Sequence, residues 1–70
     1  MIDDNFKITL KAARINSSLT QKEAAKRLGV SNQTLLKWEK NPELVPGRRI
    51  VDICKIYDIP PHRVIFLPNE

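Results

Sequence analysis

Residues 20–40, TQKEAAKRLGVSNQTLLKWEK, constrain this chain more than any other stretch. They encode two short amphipathic helices broken at Gly29-Val30. Thr20 is a favourable N-cap, and Glu23 three positions on completes the Ser/Thr-x-x-Glu pattern of a capping box. The first helix of the pair then runs through Leu28, with Ala24, Ala25 and Leu28 facing inward. Gly29 reaches positive φ at little steric cost and ends that helix sharply. Ser31 caps the second helix, which extends to about Lys40.

At about 100° per residue the second helix divides into two faces. Asn32, Gln33, Leu36, Lys37 and Lys40 fill one arc of roughly 140°. Ser31, Thr34, Leu35, Trp38 and Glu39 fall opposite, so Leu35 and Trp38 are buried while Val30 enters the core from the turn. The outer arc carries two amides, two lysines and one leucine. Amides and lysines are the side chains that hydrogen-bond base edges and phosphates in a DNA major groove.

Charge is concentrated in the same region. The chain carries 12 basic and 8 acidic residues, a formal net charge of +4. Residues 20–49 hold Lys22, Lys26, Arg27, Lys37, Lys40, Arg48 and Arg49 against Glu23, Glu39 and Glu43. The remaining residues balance, so the whole excess surrounds the helix pair, as an anionic partner requires.

Here the chain resembles a known family. TQKEAAKRLGVSNQTLLKWE is similar to the helix-turn-helix of the phage repressor/Cro-like class, the xenobiotic-response-element family of bacterial regulators. The matching residues are Gln21, Ala25, Gly29, Val30, Leu35 and the Trp38-Glu39 pair. Ala25 must be small where the second helix crosses it, Gly29 makes the turn, and Leu35 with Trp38 pins the outer helix. The resemblance continues from about Lys7 to Ile65-Pro68. It implies an all-α fold, a compact bundle of four to five short helices of the lambda-repressor-like type. It also implies that Arg14 pairs with Glu39, a position the helical wheel independently places at the core margin. In such proteins the loop after the outer helix sets backbone donors and basic groups against phosphate, which makes Asn41, Arg48 and Arg49 candidates.

The rest of the chain fits around this motif. Asp3, Asp4 or Asn5 can cap an N-terminal helix that places Phe6, Leu10 and Ala13 on one inward stripe. Lys7 and Lys11 take its outer face, and Asn16-Ser17-Ser18 close it with turn-forming residues. Leu19 enters the core before Thr20. Pro42 stops the outer helix of the motif, and Leu44 or Val45 is expected to pack inward from the loop that follows. A fourth helix over residues 47–57 turns Ile50, Ile53, Cys54 and Tyr57 inward. Pro61 suits the first position of a very short fifth helix.

Seventy residues form a single domain, residues 1–70, near the lower size for unaided folding. Cys54 is the one cysteine and His62 the one histidine. Neither a disulfide nor a cysteine metal framework is available. No P-loop, metal-ligand spacing or nucleophile-base set appears, so catalysis, a cofactor and a small-molecule ligand are not expected. No signal peptide or membrane-spanning run is visible, and the expectation is a cytoplasmic protein.

The expected function is sequence-specific binding of double-stranded DNA by a transcriptional regulator. Asn32, Gln33, Leu36 and Lys37 are the candidate base contacts, with Leu36 suited to a thymine methyl. Gln21, at the first turn of its helix, is a candidate phosphate contact with Ser31, Lys40, Asn41, Arg48 and Arg49. One such helix reads few base pairs, so a homodimer on a roughly palindromic operator is expected. The apolar run Val64, Ile65, Phe66 and Leu67 is the candidate dimer interface; its alternative is to fold back on Phe6 and Leu10. The chain stops soon after the motif, as in a stand-alone Cro-like regulator of a phage or mobile element. The alternative is an antitoxin that also binds its own promoter, for which only residues 64–70 remain as a toxin-binding segment.

Overall fold

The computed structural model describes residues 6–67. Four α-helices follow one another: α1 Leu10–Asn16, α2 Gln21–Leu28, α3 Asn32–Lys40 and α4 Gly47–Ile56. A 3-10 turn at Pro42–Leu44 joins α3 to α4, and a second at Pro61–Arg63 leads into the C-terminal segment. Proline opens both turns, where its missing N–H would have had no partner.

Local chemistry sets the helix ends. Thr20 Oγ1 accepts the Glu23 N–H at 3.1 Å and Glu23 Oε1 accepts the Thr20 N–H at 2.9 Å, a complete capping box. Those bonds from Thr20 hold the Glu23 carboxyl below its usual pKa, aided by nearby Arg27. Gly29 closes α2 in the left-handed region at φ 72°, where a Cβ would strain the backbone. Ser31 Oγ then accepts the Thr34 N–H at 3.1 Å and starts α3.

The N-terminal segment departs from the expected helix. α1 begins at Leu10, capped by Thr9, whose Oγ1 accepts the Ala12 N–H at 3.0 Å. The cap candidates Asp3, Asp4 and Asn5 lie outside the described residues. Phe6 is exposed rather than part of an inward stripe. The competing interaction is non-local: Ile8 and Val64 form an isolated parallel bridge. The Ile8 N–H donates to the Arg63 carbonyl at 2.9 Å, and the Ile65 N–H donates to the Ile8 carbonyl at 3.0 Å. An extended backbone at residue 8 cannot also belong to a helix.

The largest fully buried side chains are Leu10 from α1, Leu35 from α3, Ile53 from α4 and Val64 from the C-terminal segment, with the smaller Ala24 from α2 equally buried. Burying one of the larger side chains is worth about 1.5–3 kcal/mol. α2 packs on α3 and α4 through Ala24, Ala25 and Leu28, while α1 packs on α3. Val45 is buried and Leu44 exposed, so one member of that loop pair faces the core. Cys54 is buried too, and burial raises its thiol pKa. The expected interface run needs correction at Val64, which is 1% exposed and already used in this chain's own core. Ile65 and Phe66 are half-buried, and only Leu67 is exposed.

Candidate nucleic-acid interface

The outer arc of α3 is open to solvent along its length. Asn32, Gln33, Leu36, Lys37 and Lys40 are exposed, while Leu35 and Trp38 anchor the opposite side. Asn32, Gln33 and Lys37 have no side-chain hydrogen bond among the described residues, which leaves their donors and acceptors for a ligand. Leu36 is 41% exposed between them. Ser31 is exposed but occupied as the cap, its hydroxyl also meeting Thr34 Oγ1 at 3.0 Å.

A buried polar network holds this arc in place. Arg14 Nε donates to Glu39 Oε2 at 2.7 Å, and Arg14 Nη1 donates to the Leu19 carbonyl at 2.8 Å. The other carboxylate oxygen of Glu39 accepts from Gln21 Nε2 at 3.1 Å. One carboxylate on α3 thus gathers the end of α1 and the start of α2. Gln21 therefore has one amide N–H committed inside the protein. The N–H groups of Gln21 and Lys22 belong to the first helical turn and have no intrahelical acceptor. They form a small positive terminus beside α3.

Tyr57 lies next to the ion pair. Its hydroxyl is buried without a hydrogen-bond partner among the described residues. Burial, reinforced by the Glu39 charge against the opposing pull of Arg14, pushes its pKa up to about 12. Nothing in the sequence pattern pointed to this arrangement.

The candidate phosphate contacts from the end of α3 onward separate into two kinds. Lys40, Asn41 and Arg48 are exposed, and the Asn41 N–H closes α3 on the Lys37 carbonyl at 2.8 Å. Arg49 is half-buried, and its Nη1 donates to the Leu28 carbonyl at 2.8 Å. Both arginines occupy the first turn of α4, which has no acidic residue and no side-chain cap. Cations there oppose the helix dipole. For Arg49 the Leu28 carbonyl supplies a reason, whereas the fold supplies none for Arg48.

A helix-turn-helix family model matches residues 10–64. The chain belongs to the helix-turn-helix family. Neither the curated proteins nor the solved structures compared with it contain a significant match. As a helix-turn-helix protein it has the all-α, lambda-repressor-like fold and is a regulator that binds double-stranded DNA. Among the described residues no cluster of His, Cys, Asp and Glu could hold a metal ion. No helix among them is long and apolar enough to cross a membrane.

Proposed function

We propose that this protein is a Cro-like transcriptional regulator of a phage or mobile element, reading an operator with α3. The observation that carries the reading is the outer arc of α3, where Asn32, Gln33 and Lys37 are exposed beside Leu36 with no side-chain hydrogen bond among the described residues. The amides suit adenine N6/N7, lysine suits guanine O6/N7, and leucine suits a thymine methyl. The first-turn N–H groups of α2, with Lys40, Asn41 and Arg48, take the flanking phosphates. Ser31 contributes its position at the start of α3 more than its hydroxyl, which serves the cap.

A single helix of this kind specifies few bases, so two copies act together, with half-sites about one DNA turn (~34 Å) apart. Ile65, Phe66 and Leu67 form the contact between copies, with Leu67 as its exposed member. Selection of bound sequences from random DNA at a fixed salt concentration tests the proposal. It should return an imperfect palindrome. A consensus without symmetry overturns the dimer, and no enrichment at all overturns sequence-specific reading. The antitoxin alternative is favoured by no particular feature of the structure.

A further inference from the structure

Helix α2 ends where the polypeptide must turn into the reading helix. Its main-chain capping bonds run from the Gly29 N–H to the Ala25 and Lys26 carbonyls, and from the Val30 N–H to the Ala25 carbonyl at 3.0 Å. The last carbonyls of a helix have no intrahelical donor. At Leu28 that acceptor is met from α4, by Arg49 Nη1 at 2.8 Å. Arg49 lies 21 positions along the chain and is half-buried. A cation at a helix C-terminus is favourable, and the hydrogen bond is charge-assisted.

We infer that Arg49 is a positioning residue for DNA reading: it staples α4 to the turn between α2 and α3 and so fixes how α3 is presented. The bond is made by Nη1, one covalent bond farther from the backbone than a lysine Nζ reaches, so a lysine keeps the charge and falls short of the carbonyl. The bonded carbonyl immediately precedes Gly29, whose φ of 72° sets the change of direction. Two residues beyond Gly29, Ser31 caps α3. A loosened Leu28 carbonyl therefore frees a joint that aims Asn32 and Gln33, at the end of α3 away from the Glu39 network. This role differs from a phosphate contact, in which Arg49 would act through its charge alone.

The consequence for DNA rests on the proposed reading of α3, whereas the staple itself is measurable without DNA. The test compares Arg49→Lys, which keeps the charge, with Arg49→Gln, which removes it. Circular dichroism and Trp38 fluorescence establish that each is folded. Amide hydrogen exchange in the free protein is the first readout. In both variants exchange at Gly29 and Val30 should quicken about tenfold relative to Leu35, as loss of a charge-assisted bond implies. Unchanged exchange, or an equal rise at all amides, overturns the staple.

Binding to the selected operator and to random DNA across a salt series is the second readout. Both variants should lose about five- to twentyfold more affinity for the operator than for random DNA, about one bidentate contact's worth of discrimination. The salt slope of Arg49→Gln should stay within about 0.5 of wild type, against the change of about 1 that a lost phosphate contact gives. Equal loss on both DNAs with a slope reduced by that full amount, or Arg49→Lys binding as wild type does, overturns the inference. Failure of the wild-type protein to prefer any DNA sequence would defeat the proposed function, and the exchange result would still decide the staple.

Discussion

Arg14 and Glu39 are joined at 2.7 Å with side chains 9% and 4% exposed, so an ion pair between α1 and α3 is almost wholly shielded from water. Desolvation offsets much of the attraction within such a pair, and its net contribution to stability is small. Its value lies in geometry. The same carboxylate also receives Gln21, which registers α2 against α3.

Breaking the pair from one side leaves a buried charge. Glu39→Ala should cost about 3–5 kcal/mol in urea unfolding at neutral pH. That is a large share of the about 5–15 kcal/mol that holds a typical domain together, and the variant should be partly unfolded at 37 °C. A Glu39→Ala protein as stable as wild type would show that the pair holds nothing.

Tyr57 gives the opposite result on truncation. Its buried hydroxyl has no partner among the described residues, so Tyr57→Phe should leave stability unchanged or raise it by up to ~1–3 kcal/mol at pH 7. The alkaline limb follows from linkage. The folded phenol ionises at about 12, whereas an unfolded tyrosine ionises at about 10. Between those values the unfolded chain gives up a proton that the native protein keeps, so native stability falls as pH rises. Urea midpoints at pH 8 and pH 11 should therefore drop less for Tyr57→Phe than for wild type. An equal drop would assign the alkaline loss to other groups.

Arg48 is the exposed arginine at an uncapped helix start. Arg48→Gln should weaken binding to all DNA sequences alike and lower the magnitude of the log-log salt slope by about 1. Removing a cation from that helix end should not destabilise the free protein. An unchanged slope places Arg48 away from phosphate.

For assembly, Leu67 is the informative position, because Phe66 packs partly against the core and its replacement would disturb the fold. Leu67→Asp should stay folded by circular dichroism yet lose cooperative binding to two half-sites. Sedimentation with and without DNA measures the same contact. Wild-type cooperativity in that variant moves the interface elsewhere.

What was legible in the sequence follows from the range of each interaction. The α2–α3 pair rests on short-range rules: the Thr20–Glu23 box, the Gly29 turn, the Ser31 cap and a 3.6-residue apolar period. The face of α3 followed from the same period. At residues 6–9 the spacing of Phe6, Leu10 and Ala13 satisfies a helix, while pairing with residues 63–65 decides the backbone there. The run Val64-Ile65-Phe66-Leu67 shows apolarity without showing which members the core consumes, and the core takes Val64. The sequence shows Arg49 only as a charge, since a side chain reaching a main-chain carbonyl 21 positions away leaves no periodic trace. Its one signal was a cation in the first turn of α4, against the helix dipole.

The central claim is that the exposed arc of α3 distinguishes one DNA sequence from another. Binding of wild type and Gln33→Ala to the selected operator and to random DNA, at one salt concentration, measures this most directly. Gln33 is exposed, so its truncation leaves the fold intact. The account predicts a loss of about 1–3 kcal/mol on the operator and little change on random DNA. Equal losses on both, or none on either, would contradict it.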